Sequence, residues 1–254
     1  PTNIRVGDVV YGNYQNLTCW GGWYIQTNYE EKMERDYCEY VKITKDNWGG
    51  MYSLIKSGYY YCDSNGVKSY YDPNRDGWLD PSEIRNIYTI NNYKYEKSPK
   101  DHKYWLLTKT NAYQCKISGL DGLKYLPWVS SIQIRDYTAQ KMDLSQYRHI
   151  QSVSIREFWQ NKFQLIAPYV KEIEIESETG GSWSKAKLSS VDVSKCNAVV
   201  HLTLGGSYFK PMTMKLPTSA KNLRWLSVSY DRGQKIDLNK YKKLNLAYFY
   251  ANKY

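Results

Sequence analysis

The chain has 254 residues, an apolar share of 42%, 27 Tyr and 9 Trp against 4 Phe, and a net charge of +10. So aromatic a sequence is not disordered, its modest glycine and proline content is not that of a fibre, and apolar runs as short as Leu165 to Ala167 cannot span a bilayer. The charge is uneven: residues 1–100 carry 12 basic and 13 acidic side chains while residues 101–254 carry 23 and 12, which points to a chain in two parts.

Residues 1–67 show strand-like stretches at Val9-Val10-Tyr11, Tyr40 to Ile43 and Tyr59 to Tyr61, separated by Gly, Asn and Asp turns, with a short helix at Thr27 to Arg35. The expectation is a small β-rich domain. Three of the five cysteines, Cys19, Cys38 and Cys62, fall here, and no CxxC pair marks a zinc or redox motif. One disulfide among the three suits a secreted chain; free, partly buried thiols are the other reading.

Residues 72–83 carry the most specific motif. Asp72, Asn74 and Asp76 stand at loop positions 1, 3 and 5, and Gly77 at the sharp turn of position 6. Trp78 offers its carbonyl at position 7, Leu79 is apolar at 8, Asp80 stands at 9 and Glu83 at 12. Oxygen ligands at alternate positions wrap a hard cation, and a terminal glutamate adds two more, as in an EF-hand loop. The expected cofactor is therefore a structural Ca²⁺. Asp80, Pro81 and Glu83 also read as N-cap, N1 and N3 of a helix, expected to start at Pro81 and run through Ile84 and Ile87. The two readings are compatible, because an EF-hand loop ends in a helix. Residues 68–116 are assigned to this loop and a connecting segment.

From Ile117 to Leu126, Leu120, Leu123 and Leu126 recur every third residue, a helical or 3₁₀ lead-in. Beyond it the chain repeats. The pattern apolar-x-x-apolar-x-apolar occurs at Val129/Ile132/Ile134, Ile150/Val153/Ile155, Val170/Ile173/Ile175, Val199/Leu202/Leu204, Leu223/Leu226/Val228 and Leu244/Ala247/Phe249. Its first positions lie 21, 20, 29, 24 and 21 residues apart, and the last two anchors of each unit have the strand period of two. A tetrad, apolar-Asp-apolar-Ser/Asn, precedes three of the units: Met142 to Ser145, Val191 to Ser194 and Ile236 to Asn239. One such unit cannot bury its apolar edge, but a stack of them makes a parallel sheet over a continuous interior. The long third unit contains Glu178 to Trp183, read as an extruded loop.

The order of an Asp-rich loop, Ser82-Glu83-Ile84, Ile87 to Ile90, the segment Ile117 to Leu126 and then Asp-Leu-Ser repeats resembles bacterial cell-surface leucine-rich-repeat proteins with one EF-hand-like loop ahead of the array. The resemblance covers residues 68–254. It implies an α+β solenoid, a secreted or surface-tethered location, and an interaction or adhesion role. A dockerin is a related form, but it needs two loops and one is visible. The asparagine that usually follows each strand is replaced by Tyr137, Phe158, Glu178, Ser207 and Asp231, with only Asn252 matching.

In such an array, residues 117–254 here, the strand residues between anchors face the concave side. One column is Ser131, Ser152, Glu172, His201, Trp225 and Leu246; the second is Gln133, Ser154, Glu174, Thr203, Ser227 and Tyr248; the third is Arg135, Arg156, Glu176, Gly205, Ser229 and Tyr250. The face runs from a basic end at Arg135 and Arg156, past acidic Glu174 and Glu176 and His201, to an aromatic end at Trp225, Tyr248 and Tyr250. These aromatics serve as anchors for a protein or glycan ligand, or as a cap on the C-terminal end of the core. No GxSxG, HExxH or P-loop is present, and the expectation is a non-enzymatic module; the alternative is a secreted enzyme or carbohydrate-binding protein whose activity lies in residues 1–67. The lysines, among them Lys185, Lys187, Lys210, Lys215, Lys240, Lys242 and Lys243, are dispersed. That favours solubility, or attraction to anionic cell-wall or host glycans, over a specific nucleic-acid site.

Overall fold

The computed structural model describes residues 40–61, 68–93, 95–97, 104–106, 114–158, 160–177, 187–206, 211–229 and 236–250. The readings at Val9 to Tyr11, Thr27 to Arg35, Cys19, Cys38, Cys62, Glu178 to Trp183, Ser207, Asp231 and Asn252 lie outside them.

The chain forms a parallel-strand β-solenoid. One sheet has seven parallel strands: β5 (Thr89–Asn91), β8 (Ser131–Tyr137), β10 (Ser152–Phe158), β12 (Glu172–Glu176), β14 (His201–Gly205), β16 (Trp225–Ser229) and β17 (Leu246–Tyr250). A second has four, β9 (Lys141–Asp143), β11 (Lys162–Ile166), β13 (Ser190–Asp192) and β15 (Thr213–Lys215), also parallel. Four turns, β8–β9 to β14–β15, contribute a strand to each. The second sheet is not foreseen by the repeat pattern, because its strands are mostly three residues long with one or two inward side chains.

The anchors drive the stacking. Those of the first five units, Val129 through Val228, are buried and join one core with Met142, Leu144, Phe163, Leu165, Val191, Val193 and Met214 from the other sheet. Each such side chain contributes about 1.5–3 kcal/mol. Alternation fixes the register, since a one-residue slip would turn every anchor to solvent. The ladder aligns Ile132, Val153, Ile173, Leu202, Leu226 and Ala247 across six strands.

The Asp tetrads are turn devices. Asp143, Asp192 and Asp237 each accept a hydrogen bond from the backbone N–H two residues on, at 3.1, 3.0 and 3.0 Å. The next residue then closes a turn, with Tyr147, Cys196 and Tyr241 donating to Leu144, Val193 and Leu238 at 3.0 Å each. This is an Asx turn feeding a β-turn. At the same place after β11 and β15 the chain carries Ala167-Pro168 and Leu216-Pro217, so proline bends the backbone and the tetrad is missing.

Two kinks shape the strand ends. Asp136 and Glu157, stacked on β8 and β10, adopt φ of 57° and 62°. The kink turns Tyr137 and Phe158 inward, where both pack on Phe163, with ring centroids 5.8 and 5.1 Å apart. An aromatic stack thus occupies two positions where the resemblance implies an asparagine ladder.

The parallel sheet begins ahead of residue 117. β5 pairs with β8 with Ile90 opposite Ile132, so Ile87, Ile90 and Asn92 align with Val129, Ile132 and Ile134. Asn92 replaces the third apolar anchor. Fully buried, its amide donates to the carbonyls of Cys115 (2.8 Å) and Arg135 (2.7 Å) and accepts from the N–H of Arg135 (2.8 Å). The helix after the acidic loop, α3 (Pro81–Ile84), is correspondingly shorter than expected, because Ile87 is spent on this first rung. Between β5 and β8 the backbone forms an antiparallel pair, β6 (Tyr95–Lys97) with β7 (Tyr104–Leu106).

The described part of residues 1–67 is not purely β. It holds β1 (Val41–Lys42), α1 (Lys45–Trp48), a 3₁₀ turn (Gly49–Met51), α2 (Tyr52–Ser57) and β2 (Tyr59–Tyr61), which pairs with β3 (Lys68–Tyr70). Trp48, Met51, Leu54 and Ile55 are buried in the same core as the solenoid. They close its N-terminal end against the 3₁₀ helix Asp121–Tyr125, the expected lead-in. The approach is close: a Cβ at Gly50 would collide with the Gly119 backbone, and one at Gly122 with the Trp48 ring.

Candidate functional site

Two sites are candidates. The acidic loop lies between β3 and α3 and is fixed at both ends. Tyr71 is buried before it, its hydroxyl accepting from the N–H of Asn91 (3.0 Å) on β5 and donating to that residue's carbonyl (3.2 Å). After it, Leu79 and Ile84 are buried. Within the loop, the buried Asp72 carboxylate accepts from the N–H groups of Arg75 (2.7 Å) and Gly77 (3.2 Å). Asn74 accepts from Asp76 N–H (3.0 Å), and Asp76 from Trp78 N–H (2.8 Å). Gly77 takes φ +83°, which only glycine adopts without strain. β4 (Trp78–Leu79) pairs antiparallel with β1. Asp80 and Glu83 form a capping box: Asp80 accepts from Glu83 N–H (2.8 Å) and Glu83 from Asp80 N–H (3.0 Å).

Burial, together with the Asp80, Asp72 and Asp76 carboxylates, pushes the Glu83 carboxyl up to about 7 despite its backbone hydrogen bond. Glu83 therefore senses the neighbouring carboxylates. Among the described residues, however, no three Asp, Glu, His or Cys side chains converge as a ligand set. In this structure the loop carboxylates bond to nearby N–H groups.

The second candidate is the outer face of the seven-stranded sheet. All three columns are in register as expected, from Ser131 to Leu246, Gln133 to Tyr248 and Arg135 to Tyr250. Burial along the strands alternates, so these residues point away from the core. Of the expected basic end, Arg156 is partly exposed and Arg135 is not. Arg135 is 1% exposed; its guanidinium lies under the Tyr93 ring, 5.2 Å from the centroid, and pairs with Glu157 at 3.3 Å. Sequence spacing places Arg135 in the column but carries no sign of the Tyr93 that covers it.

Arg156 is half-buried and bridges Glu174 (2.6 Å) and Glu176 (3.4 Å) on the neighbouring strand. Ser154 donates to Glu174 at 2.5 Å. Burial holds the Glu176 carboxyl above the usual range, with Arg156 opposing. His201 and Glu172 are both exposed, with 3.8 Å between Nδ1 and the carboxylate. Trp225, Leu246, Tyr248 and Tyr250 are 41%, 48%, 52% and 53% exposed on the adjacent strands β16 and β17. The Tyr248 and Tyr250 rings are near-parallel, 7° between planes with centroids 6.4 Å apart. These aromatics do not cap the core; Ala247 and Phe249 face it instead.

No protein-family model matches the chain, and no curated protein or solved structure is significantly similar to it. The resemblance to surface leucine-rich-repeat proteins rests on the order of motifs in the sequence, and the structure shows a parallel-strand solenoid. No helix among the described residues is long and apolar enough to cross a membrane.

Proposed function

We propose that this chain is a non-enzymatic extracellular or cell-surface binding module of the leucine-rich-repeat kind, which engages a protein or glycan with the outer face of its seven-stranded sheet. The observation that carries the reading is the contiguous exposed patch of Trp225, Leu246, Tyr248 and Tyr250 on two adjacent strands. Aromatics on a rigid sheet give large contact area at little entropic cost, which is why Trp and Tyr dominate binding hot spots. A combined protein and glycan array probed with the chain and with its Trp225→Ala/Tyr248→Ala variant tests this. The expected result is a ligand that the variant loses while its melting temperature stays within about 2 °C. Ligands held equally by both proteins would overturn the reading.

The acidic loop is assigned a structural Ca²⁺, held by Asp72, Asn74, Asp76, the Trp78 carbonyl, Asp80 and Glu83. Supporting this are the alternate oxygen ligands, the turn at Gly77, and the crowding of carboxylates around Glu83, which a cation would relieve. The ion would neutralise that crowding and fix the junction between β3 and α3. An affinity of roughly 10⁻⁴–10⁻³ M, usual for extracellular modules, suits such a role. Calorimetry and melting with and without millimolar Ca²⁺ check it: the chain gains stability, and Asp72→Ala/Glu83→Ala does not. The variant also loses the capping box, so the Ca²⁺-dependent difference is the readout, and its absence in the parent chain would remove the assignment.

A further inference from the structure

The outer face has an internal division that the binding reading does not use. On β12 it presents Glu172, Glu174 and Glu176; on β16 and β17 it presents Trp225, Tyr248 and Tyr250. Between them lie exposed His201, part-buried Thr203 and buried Gly205 on β14, and the small Ser227 and Ser229 on β16. Three strand intervals separate β12 from β17, about 14 Å. The result is a strip with a hydroxyl floor, one wall of carboxylates and one of aromatic rings. Gly205 is buried, and an added Cβ there would sit 3.3 Å from Ser229 Oγ and 3.4 Å from Glu176 Cγ.

We infer that this strip takes a neutral glycan, with sugar rings stacked on Trp225 and the Tyr248/Tyr250 pair and hydroxyls directed to the Glu172, Glu174 and Glu176 wall. The inference rests on the binding role proposed above and names its ligand class. Three features carry it. Sugars present C–H faces that pack on aromatic rings and hydroxyls that pair with ionised oxygens in short, charge-assisted hydrogen bonds. Two of the three carboxylates are held in place in advance, since Arg156 and Ser154 fix Glu174 and Arg156 also fixes Glu176. A protein interface places apolar side chains at its centre and depletes charge there; here the centre is Thr203, Ser227, Ser229 and His201 with carboxylates beside it.

The same wall selects against acidic ligands. None of the outward positions on β12, β14, β16 and β17 is Lys or Arg, and three are Glu. Arg156, on the neighbouring β10, is the cation that faces them. An acidic polymer laid along these strands would therefore meet three carboxylates, which disfavours it.

Affinity electrophoresis in gels containing glucan, mannan, xylan or galactan, with heparin and polygalacturonate in parallel, tests the inference on the intact chain. At least one neutral polymer should retard the protein and still do so in about 0.5 M NaCl, where retardation by the anionic polymers disappears. Trp225→Ala or Tyr248→Ala should weaken the neutral interaction about tenfold or more with an unchanged melting temperature. Ser227→Trp, which fills the floor, should abolish it. If no neutral polymer retards the chain, or if retardation is indifferent to these three substitutions, the glycan inference is wrong. Should Trp225 then govern capture of a purified protein or an anionic polymer on the array, the binding face survives without its glycan. If Trp225 governs no ligand, both readings fall.

Discussion

The two ends of the seven-stranded sheet share one register, yet they differ in how deeply their residues are buried. At β8 and β10 the outward residues are partly buried, and Arg135 is fully covered. Arg135 lies beneath Tyr93, Asn92 ties β5 to β8 inside the core, and α1, α2 and their 3₁₀ turn cover the first rung. At β16 and β17 the face is open, and the last inward residues, Ala247 and Phe249, are only half-buried. In a solenoid each rung is stabilised only by its neighbours, so stability is set locally and can fall along the stack. Burial therefore concentrates at the N-terminal end, and the proposed binding face lies at the less buried end.

The sharpest way to break this contrast is to remove Asn92. Asn92→Ala leaves the N–H and carbonyl of Arg135 and the carbonyl of Cys115 buried without their shared partner, a loss of about 3 kcal/mol. Phe249→Ala at the other end should lose about 1 kcal/mol, well below the roughly 3–5 kcal/mol typical of a fully buried phenylalanine, because its site is already partly wet. Guanidinium denaturation of both variants measures the gap. Equal losses would erase the distinction between the two ends.

Asn92 also shows why the sequence revealed only part of this fold. Six units were legible because period-two anchors fix both strand and register, and all eighteen outward positions follow from them. The seventh strand was hidden because its third anchor is a polar residue satisfied by hydrogen bonds to residues 23 and 43 positions away, which no local pattern records. The Arg135 position failed for a related reason. Alternation says which side of a sheet a residue takes, but not whether a distant tyrosine lies on top of it. The left-handed turns at Asp136 and Glu157 are equally silent, since neither residue is glycine or asparagine. At the acidic loop, ligand spacing was plain in the sequence. In the structure the loop carboxylates bond to the nearest N–H groups, contacts that residue spacing does not specify.

The turns between the two sheets provide the mildest test, one that spans both ends of the stack. Hydrogen bonds from Ser145 and Lys141 hold the Asp143 carboxyl below the usual range. Burial pushes the Asp192 carboxyl up, but hydrogen bonds from Ser194 and the nearby Lys215 outweigh it and leave it lowered. A carboxyl lowered on folding stabilises the fold fully above its unfolded value, near about 3.9, and that contribution fades as pH falls through the folded value. Glu83 and Glu176, raised by burial, act in the opposite sense, so the acid branch of the parent alone does not isolate the turns. The Asp143→Asn/Asp192→Asn variant does. Asparagine still accepts the N–H two residues on, so near pH 7 the melting temperature should fall only slightly, while the parent's excess over the variant should shrink below about pH 4. Asp192→Ala, which removes the acceptor, should cost about 1 kcal/mol at every pH above that range. A difference between parent and double variant that stayed constant down to about pH 2 would mean that these aspartates shape the turns through geometry alone, with no contribution from their charge.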